Sequence, residues 1–351
     1  MFWAVALGAA MMAQQALAAD DGAGAGAGAG VRRIIVPSRE RATDLEVTVW
    51  YPARPGGEPV MLGDGVFFTG TPARRNAPIR PGKFPLILLS HGAGLAGNAQ
   101  ALSWIAAPLA EQGFVVAAPT HPGNTGANRS AAETTKLWLR PADISDSLDA
   151  MEREPFFKDH LSVGDIGVLG LSMGGNTALA LAGARIDPKL LAAYCDTDRL
   201  NPSLCDWVRQ SRVDLHALDL QSADRSGRDR RIRFAMAIDP APIDVFDFES
   251  FSSIDIPVAL VNLGRAESIP LTAQAAGTAK AIPVSTYATI ADASHYSMFA
   301  LCKPGAEEIA KAEKVGDPIC SDGGGRSRQA VHADLIERAV AAFSRALRTT
   351  P

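Results

Sequence analysis

The chain is expected to fold as an α/β protein around a mostly parallel, doubly wound sheet. Continuous apolar runs, Phe84 to Ser90 and Phe114 to Thr120, suit strands buried on both faces of such a sheet. Helical spacing over Ala99 to Gln112, stopped by Gly113, lies between them. The same alternation of strand and helix continues to the last segment, as βαβ units require. With 351 residues, 47 % of them hydrophobic, the chain is long enough to bury one large core.

Taken in order, the first element is an apolar stretch from Met1 to Ala18 ending in Ala16-Leu17-Ala18, the small-residue pattern of an export signal's cleavage site. No Lys or Arg precedes it. Residues 4–19 are too short and alanine-rich for a stable membrane span. Residues 1–19 are therefore expected to be a signal peptide, and the protein to be exported, periplasmic or secreted. The Gly/Ala alternation from Gly22 to Gly30 cannot bury a core, so residues 20–30 read as a flexible linker before one domain over 31–351.

Leu45 to Tyr51 alternates apolar and polar residues, as a half-buried strand does, and is expected to pair with Arg33 to Pro37. Pro141 to Arg153 is a helix with proline at its start. Ile166 to Leu171 is a strand and Met173 to Ala184 a helix of small residues. Arg233 to Asp239, Val258 to Leu263 and Val284 to Ile290 are further strands, and Ala330 to Leu347 is a closing amphipathic helix. Residues 186–231 interrupt this rhythm. They are polar and are read as a small helical lid inserted over the carboxyl ends of the strands, where ligands bind in open α/β sheets. A surface excursion away from that end is the alternative.

The formal charge of −4 argues against nucleic acid as the main partner. The basic cluster Arg225, Arg228, Arg230, Arg231 and Arg233 reads as a solvated loop rather than an anion site. Four cysteines allow three pairings. No Cys-x-x-Cys pair and no histidine at zinc-finger spacing is present, so no metal site is expected. Local pairing, Cys195 with Cys205 and Cys302 with Cys320, would close two short loops and stabilise by roughly 2–4 kcal/mol each. Disulfides fit an exported protein.

Gly170-Leu171-Ser172-Met173-Gly174 sits where the strand ending at Leu171 meets the helix beginning at Met173. It has the form of a nucleophile elbow, a strained strand-to-helix turn that lifts a serine out of the sheet. Side chains at positions 170 and 174 would collide with the neighbouring strand and helix. A serine hydroxyl needs a base within hydrogen-bond reach, and an imidazole, which titrates near neutrality, suits the task. In folds with this elbow the acid and then the histidine follow the serine in the chain, which excludes His91, His121 and His160. His216 lies in the lid segment and His332 inside the last helix. His295, in the loop after the last strand, is the candidate base. Asp239 is the preferred acid because a carboxylate at a strand end is held more rigidly than one in a loop. Glu267, four residues past the next strand, is the alternative, with Asp292, Asp244 and Asp247 weaker. Two backbone N–H groups are needed for the oxyanion. Met173 supplies one, and the loop Ser90-His91-Gly92-Ala93-Gly94 the other, from Ala93 or its neighbour Gly94. His91 reads as a structural residue of that loop.

The segments LLSHGAG (88–94), VVAAPTHPGN (115–124), RPADI (140–144), GVLGLSMGG (167–175), AMAIDPAP (235–242) and ASHYSMF (293–299) resemble the α/β-hydrolase superfamily. More closely they resemble the plasma-type platelet-activating factor acetylhydrolases and the bacterial predicted dienelactone hydrolases. The acetylhydrolase resemblance places the acid at the end of the strand after the nucleophile helix, which matches Asp239. Dienelactone hydrolases use a cysteine nucleophile, so Ser172 sets this chain apart from that activity. The resemblance implies a serine esterase acting on small-molecule or lipid-like esters through an acyl-enzyme formed on Ser172, with His295 and Asp239 as partners and no cofactor. An aliphatic polyester is an alternative substrate. A catalytically silent fold that binds a lipid or a partner protein is the alternative from another class.

Overall fold

The computed structural model describes residues 28–125 and 128–347. Among them ten strands form one sheet: β1 (Ala29–Val36), β2 (Leu45–Pro52), β3 (Glu58–Leu62), β4 (Thr71–Arg75), β5 (Phe84–Ser90), β6 (Val115–Pro119), β7 (Leu161–Leu171), β8 (Phe234–Ile238), β9 (Val258–Leu263) and β10 (Ser285–Ile290). The helices are α1 (Ser103–Glu111), α2 (Ala131–Thr135), α3 (Arg140–Arg153), α4 (Met173–Ala182), α5 (Pro188–Ala192), α6 (Pro202–Gln210), α7 (Ala276–Ala281), α8 (Ala306–Ala312) and α9 (Arg328–Leu347). Across the sheet the order is β10-β9-β8-β7-β5-β6-β2-β1-β4-β3. The six strands from β10 to β6 are mutually parallel, and β2 joins β6 antiparallel.

Side chains alternate across a strand, and β5 divides accordingly. Leu86 and Leu88 enter one core with Ile144, Leu148 and Met151 of α3 and Leu179 of α4. Ile87 and Leu89 enter the other with Ile105 and Leu109 of α1 and Leu335, Ala339 and Phe343 of α9. Burial on both faces is why these runs are continuously apolar.

The expected elements lie where the sequence places them, with three corrections. Residues 29 and 30 belong to β1 and not to a linker, because Ala29 and Gly30 pair with Pro52 and Tyr51. The expected signal, residues 1–19, and the rest of the Gly/Ala tract up to residue 27 lie outside the described residues. The hairpin β3–β4 and the helix α8 are additions that no apolar pattern announces. The arginines near residue 230 are not simply solvated: Arg225 pairs with Glu40, Arg228 with Asp255, and Arg231 with Asp149, Glu152 and Asp229. Among the described residues no helix is long and apolar enough to cross a membrane.

One contact between α1 and α9 matters for the site. The indole of Trp104 stacks on His332 with ring centroids 3.7 Å apart. Trp104 Nε1 donates to Met298 O at 3.0 Å, and His332 Nε2 donates to Ser297 O and Phe299 O at 2.9 and 3.0 Å. The two helices therefore grip the backbone of the turn His295–Met298. Burial pulls the His332 pKa down to about 4 from an ordinary 6.5. The folded state holds this imidazole neutral, whereas the unfolded chain protonates it below about 6.5. Its share of stability is thus full above pH 6.5 and is lost as pH falls towards 4. Between pH 7 and pH 4.5 the native chain should lose about 2–3 kcal/mol more stability than His332→Gln, as read from urea denaturation. Equal losses in the two proteins would contradict this role.

Candidate active site

Ser172 caps α4 at the end of β7 with φ 53° and ψ −119°, a left-handed conformation that a serine adopts only under constraint. The constraint is visible in its hydrogen bonds. Its N–H donates to Ile238 O at 3.0 Å, and its carbonyl accepts from Gly175 N–H at 2.8 Å and Ala241 N–H at 3.0 Å. The flanking glycines are sterically required. A Cβ on Gly170 would lie 1.9 Å from Gly174 O, and one on Gly174 would lie 1.8 Å from Ser90 O.

Ser172 Oγ stands 3.3 Å from His295 Nε2, and His295 Nδ1 stands 2.9 Å from Asp239 Oδ2. Asp239 follows β8, is fully buried and also has a positive φ, 43°. Its second oxygen accepts from Leu263 N–H at 2.8 Å and from Asn262 Nδ2 at 2.7 Å. Three donors therefore fix its plane. The other acids are elsewhere: Glu267 is exposed beyond β9, Asp292 pairs with Arg326, and Asp247 pairs with Arg185. His216 is exposed and pairs with Asp196 in the lid segment.

Ala93, Gly94 and Met173 line the same cleft as Ser172 and His295. Among the described residues neither Ala93 N–H nor Met173 N–H donates to a protein acceptor. The cleft holds about 240 Å³. Leu200, Leu204 and Trp207 of the lid segment form one wall, and Met298 and Phe299 contribute to the other. Of residues 186–231, those from Leu200 to Leu204 and Trp207 line this cleft. A wider groove of about 830 Å³ continues from Ala93 and Gly94 between α6 and residues 313–319.

Both pairs of cysteines are joined as expected, Cys195 with Cys205 and Cys302 with Cys320. The first bridge ties α6 to the chain after α5. The second closes the segment that carries Asp317, whose Oδ1 accepts from Ser203 Oγ on α6 at 2.6 Å and from the Tyr296 hydroxyl at 2.9 Å. Asp317 so joins the two walls of the cleft. Neither Asp317 nor Asn262 is singled out by sequence reasoning. An asparagine inside the apolar run Val258–Leu263 was a signal for the latter, since a buried amide needs partners. Asn262 Oδ1 finds them in Ala275 N–H and the Tyr287 hydroxyl.

A family model described as alpha/beta hydrolase fold matches residues 85–212. The structure is similar to a ferulic acid esterase from Streptomyces cinnamoneus, at 19% identity over 92% of this chain and 91% of that one, with a TM-score of 0.59. It is also similar to a dienelactone hydrolase from Anabaena variabilis, at 14% identity over 91% of this chain and 99% of that one, with a TM-score of 0.49. No curated protein sequence matches the chain. At such identity the first of these likenesses establishes the fold alone.

The elbow's geometry makes a folding prediction. Gly174→Ala should destabilise the protein by more than about 3 kcal/mol, the range for strain and overpacking at a fixed site. Gly277→Ala on α7, where a new Cβ meets nothing within 4 Å, should be neutral or slightly stabilising. Urea titrations of the two variants beside the native chain check the contrast.

Proposed function

We propose that the chain is a member of the α/β-hydrolase superfamily and an exported serine esterase hydrolysing carboxylic esters of short or lipid-like acyl groups. The observation that carries this reading is the chain of contacts Ser172–His295–Asp239, opening on a cleft beside two unpaired backbone N–H groups. In this mechanism His295 Nε2 accepts the Ser172 hydroxyl proton as Oγ attacks the ester carbonyl carbon. The Ser172–His295 separation of 3.3 Å is of the looser kind common in ligand-free sites. Asp239 holds the ring by its Nδ1–H and offsets the positive charge of the imidazolium. The negative oxygen of the tetrahedral intermediate turns towards the N–H groups of Ala93 and Met173. Collapse expels the alcohol, which takes the proton from Nε2. Water then repeats the sequence on the acyl-serine, with His295 as base, and releases the acid.

The cleft's volume of about 240 Å³ lies below the ordinary range for drug-sized ligands and supports a compact acyl group. The adjoining groove leaves room for a longer alcohol portion, which keeps an aliphatic polyester as a second substrate. Two disulfides and the apolar segment before residue 19 support export, since such bridges persist in oxidising compartments.

Ser172→Ala should abolish hydrolysis of short-chain p-nitrophenyl esters and labelling by a serine-directed phosphonate. If the native chain neither cleaves such esters nor takes the label, the catalytically silent alternative holds instead. The acid is tested separately. Asp239→Asn should lower kcat by about 10⁴-fold, as loss of the orienting carboxylate does in triads of this kind. Glu267→Gln should stay within about twofold of the native kcat, because an exposed side chain with no link to the triad makes no contact that strengthens in the transition state. The opposite ranking would move the acid to the loop after β9.

A further inference from the structure

Six polar side chains that take no part in the proton relay lie buried behind the two candidate oxyanion donors: Arg41, Ser90, His91, His121, Arg140 and Asp143. None exposes more than 2% of its side chain. Burying so many ionisable groups is costly unless each is paired and hydrogen-bonded, and here the protons can be followed almost throughout. Asp143 accepts from Arg41 Nε and Nη2 at 3.0 and 2.7 Å, and from His121 Nδ1 at 2.8 Å. With its proton on Nδ1, His121 uses Nε2 as the acceptor for the Ser90 hydroxyl at 2.9 Å. The backbone N–H of His121 donates to His91 Nε2 at 2.9 Å. The His91 proton therefore sits on Nδ1 and goes to Gly92 O at 2.7 Å. Burial pulls both imidazoles well below the usual histidine range, so both stay neutral.

The Gly92 bond has a directional effect. In a trans peptide the carbonyl and the following N–H point in opposite directions. Holding Gly92 O towards the buried imidazole turns Ala93 N–H the other way, towards the cleft. Arg140 then ties this loop to the nucleophile helix. Its Nη2 donates to His91 O, and its Nε donates to Thr177 Oγ1 at 3.0 Å. The Thr177 hydroxyl in turn bonds Met173 O at 3.1 Å. Among the described residues Arg140 Nη1 finds no hydrogen-bond partner. That orphan is an energetic cost that an apolar side chain of the same size would avoid.

We propose that Arg140 is a positioning residue for the oxyanion hole: by joining His91 O to Thr177 it sets the spacing and direction of the Ala93 and Met173 N–H groups. The proposal rests on the esterase reading and deepens it. Arg140 touches no substrate; it acts through the two backbone segments it joins.

The test compares Arg140→Met, Thr177→Val, His91→Leu and His91→Asn with the native chain on p-nitrophenyl acetate, with rates taken per site titrated by a serine-directed phosphonate. A trifluoromethyl ketone, which adds to the serine as a tetrahedral oxyanion, measures the hole directly. Arg140→Met and His91→Leu should each lower kcat by about 10²-fold, keep KM within about twofold and weaken the ketone by the same factor as kcat. Thr177→Val should lower kcat by about fivefold, the effect of one hydrogen bond. His91→Asn, which retains a donor near the Nδ1 position, should recover about tenfold of the loss seen in His91→Leu. Native-like kcat per titrated site with native ketone affinity would overturn the proposal, and so would a loss confined to KM. If Arg140→Met does not fold, Thr177→Val and the His91 pair decide by the same criteria. A native chain without ester hydrolysis or label removes the esterase reading and this proposal with it. An active native chain with unaffected variants removes only this proposal.

Discussion

The contact on which the site depends is the close approach of α4 to the end of β5, where Gly174 lies against the Ser90 carbonyl. At that distance no side chain fits, and the approach brings the loop after β5 alongside the first turn of α4. Three things follow from one steric fact. Ser172 is lifted clear of the sheet at φ 53°. Met173 N–H is left at a helix start with no acceptor among the described residues. The Ala93 peptide is brought to the same side. Left-handed backbone at a serine costs on the order of 1–3 kcal/mol, and the bonds from Ser172 to Ile238, Gly175 and Ala241 offset it. Asp239, one strand over, is held in the same way: a positive φ, an N–H bonded to Val261 O, and a carboxylate fixed by neighbouring donors.

The histidine is held by different means. Serine and aspartate inherit their positions from strand ends, but His295 lies five residues beyond Ile290 in a short turn. Its place is set from outside the sheet. Trp104 and His332 take up carbonyls of the turn from one side, and Asp317 takes the Tyr296 hydroxyl from the other. Fold stability and the position of His295 are therefore coupled through α1 and α9.

What was legible in the sequence follows from how each feature is written there. Strands β5 to β10 are buried parallel strands in the main, and Phe84–Ser90 or Val258–Leu263 could be read to within a residue. The hairpin β3–β4 could not, because Glu58, Pro59, Pro72 and Arg75 are exposed at the sheet's edge and carry no apolar period. Ser172, Asp239 and His295, which the structure brings together, could be picked out because chain order and positions after strands limit the choice. The shell around them was not. Asp317 meets Ser203 across 114 positions, and nothing local to a Gly-Asp-Pro turn encodes that meeting. Arg140 and His121 stood inside motifs that resemble the superfamily, yet their roles emerge only when β5, β6, α3 and α4 are packed together.

The two sides of the cleft also differ in kind. The loop after β5 rests on side chains that water does not reach, so loosening it means exposing several charged or polar groups at once. The lid wall meets the opposite wall through the exposed bond between Ser203 and Asp317, while Cys205 and Val208 of α6 are buried in the core and Leu204 and Trp207 pack against it. Exposed hydrogen bonds open at lower free energy than buried networks, so the Ser203–Asp317 bond can break without disturbing the buried shell behind Ala93.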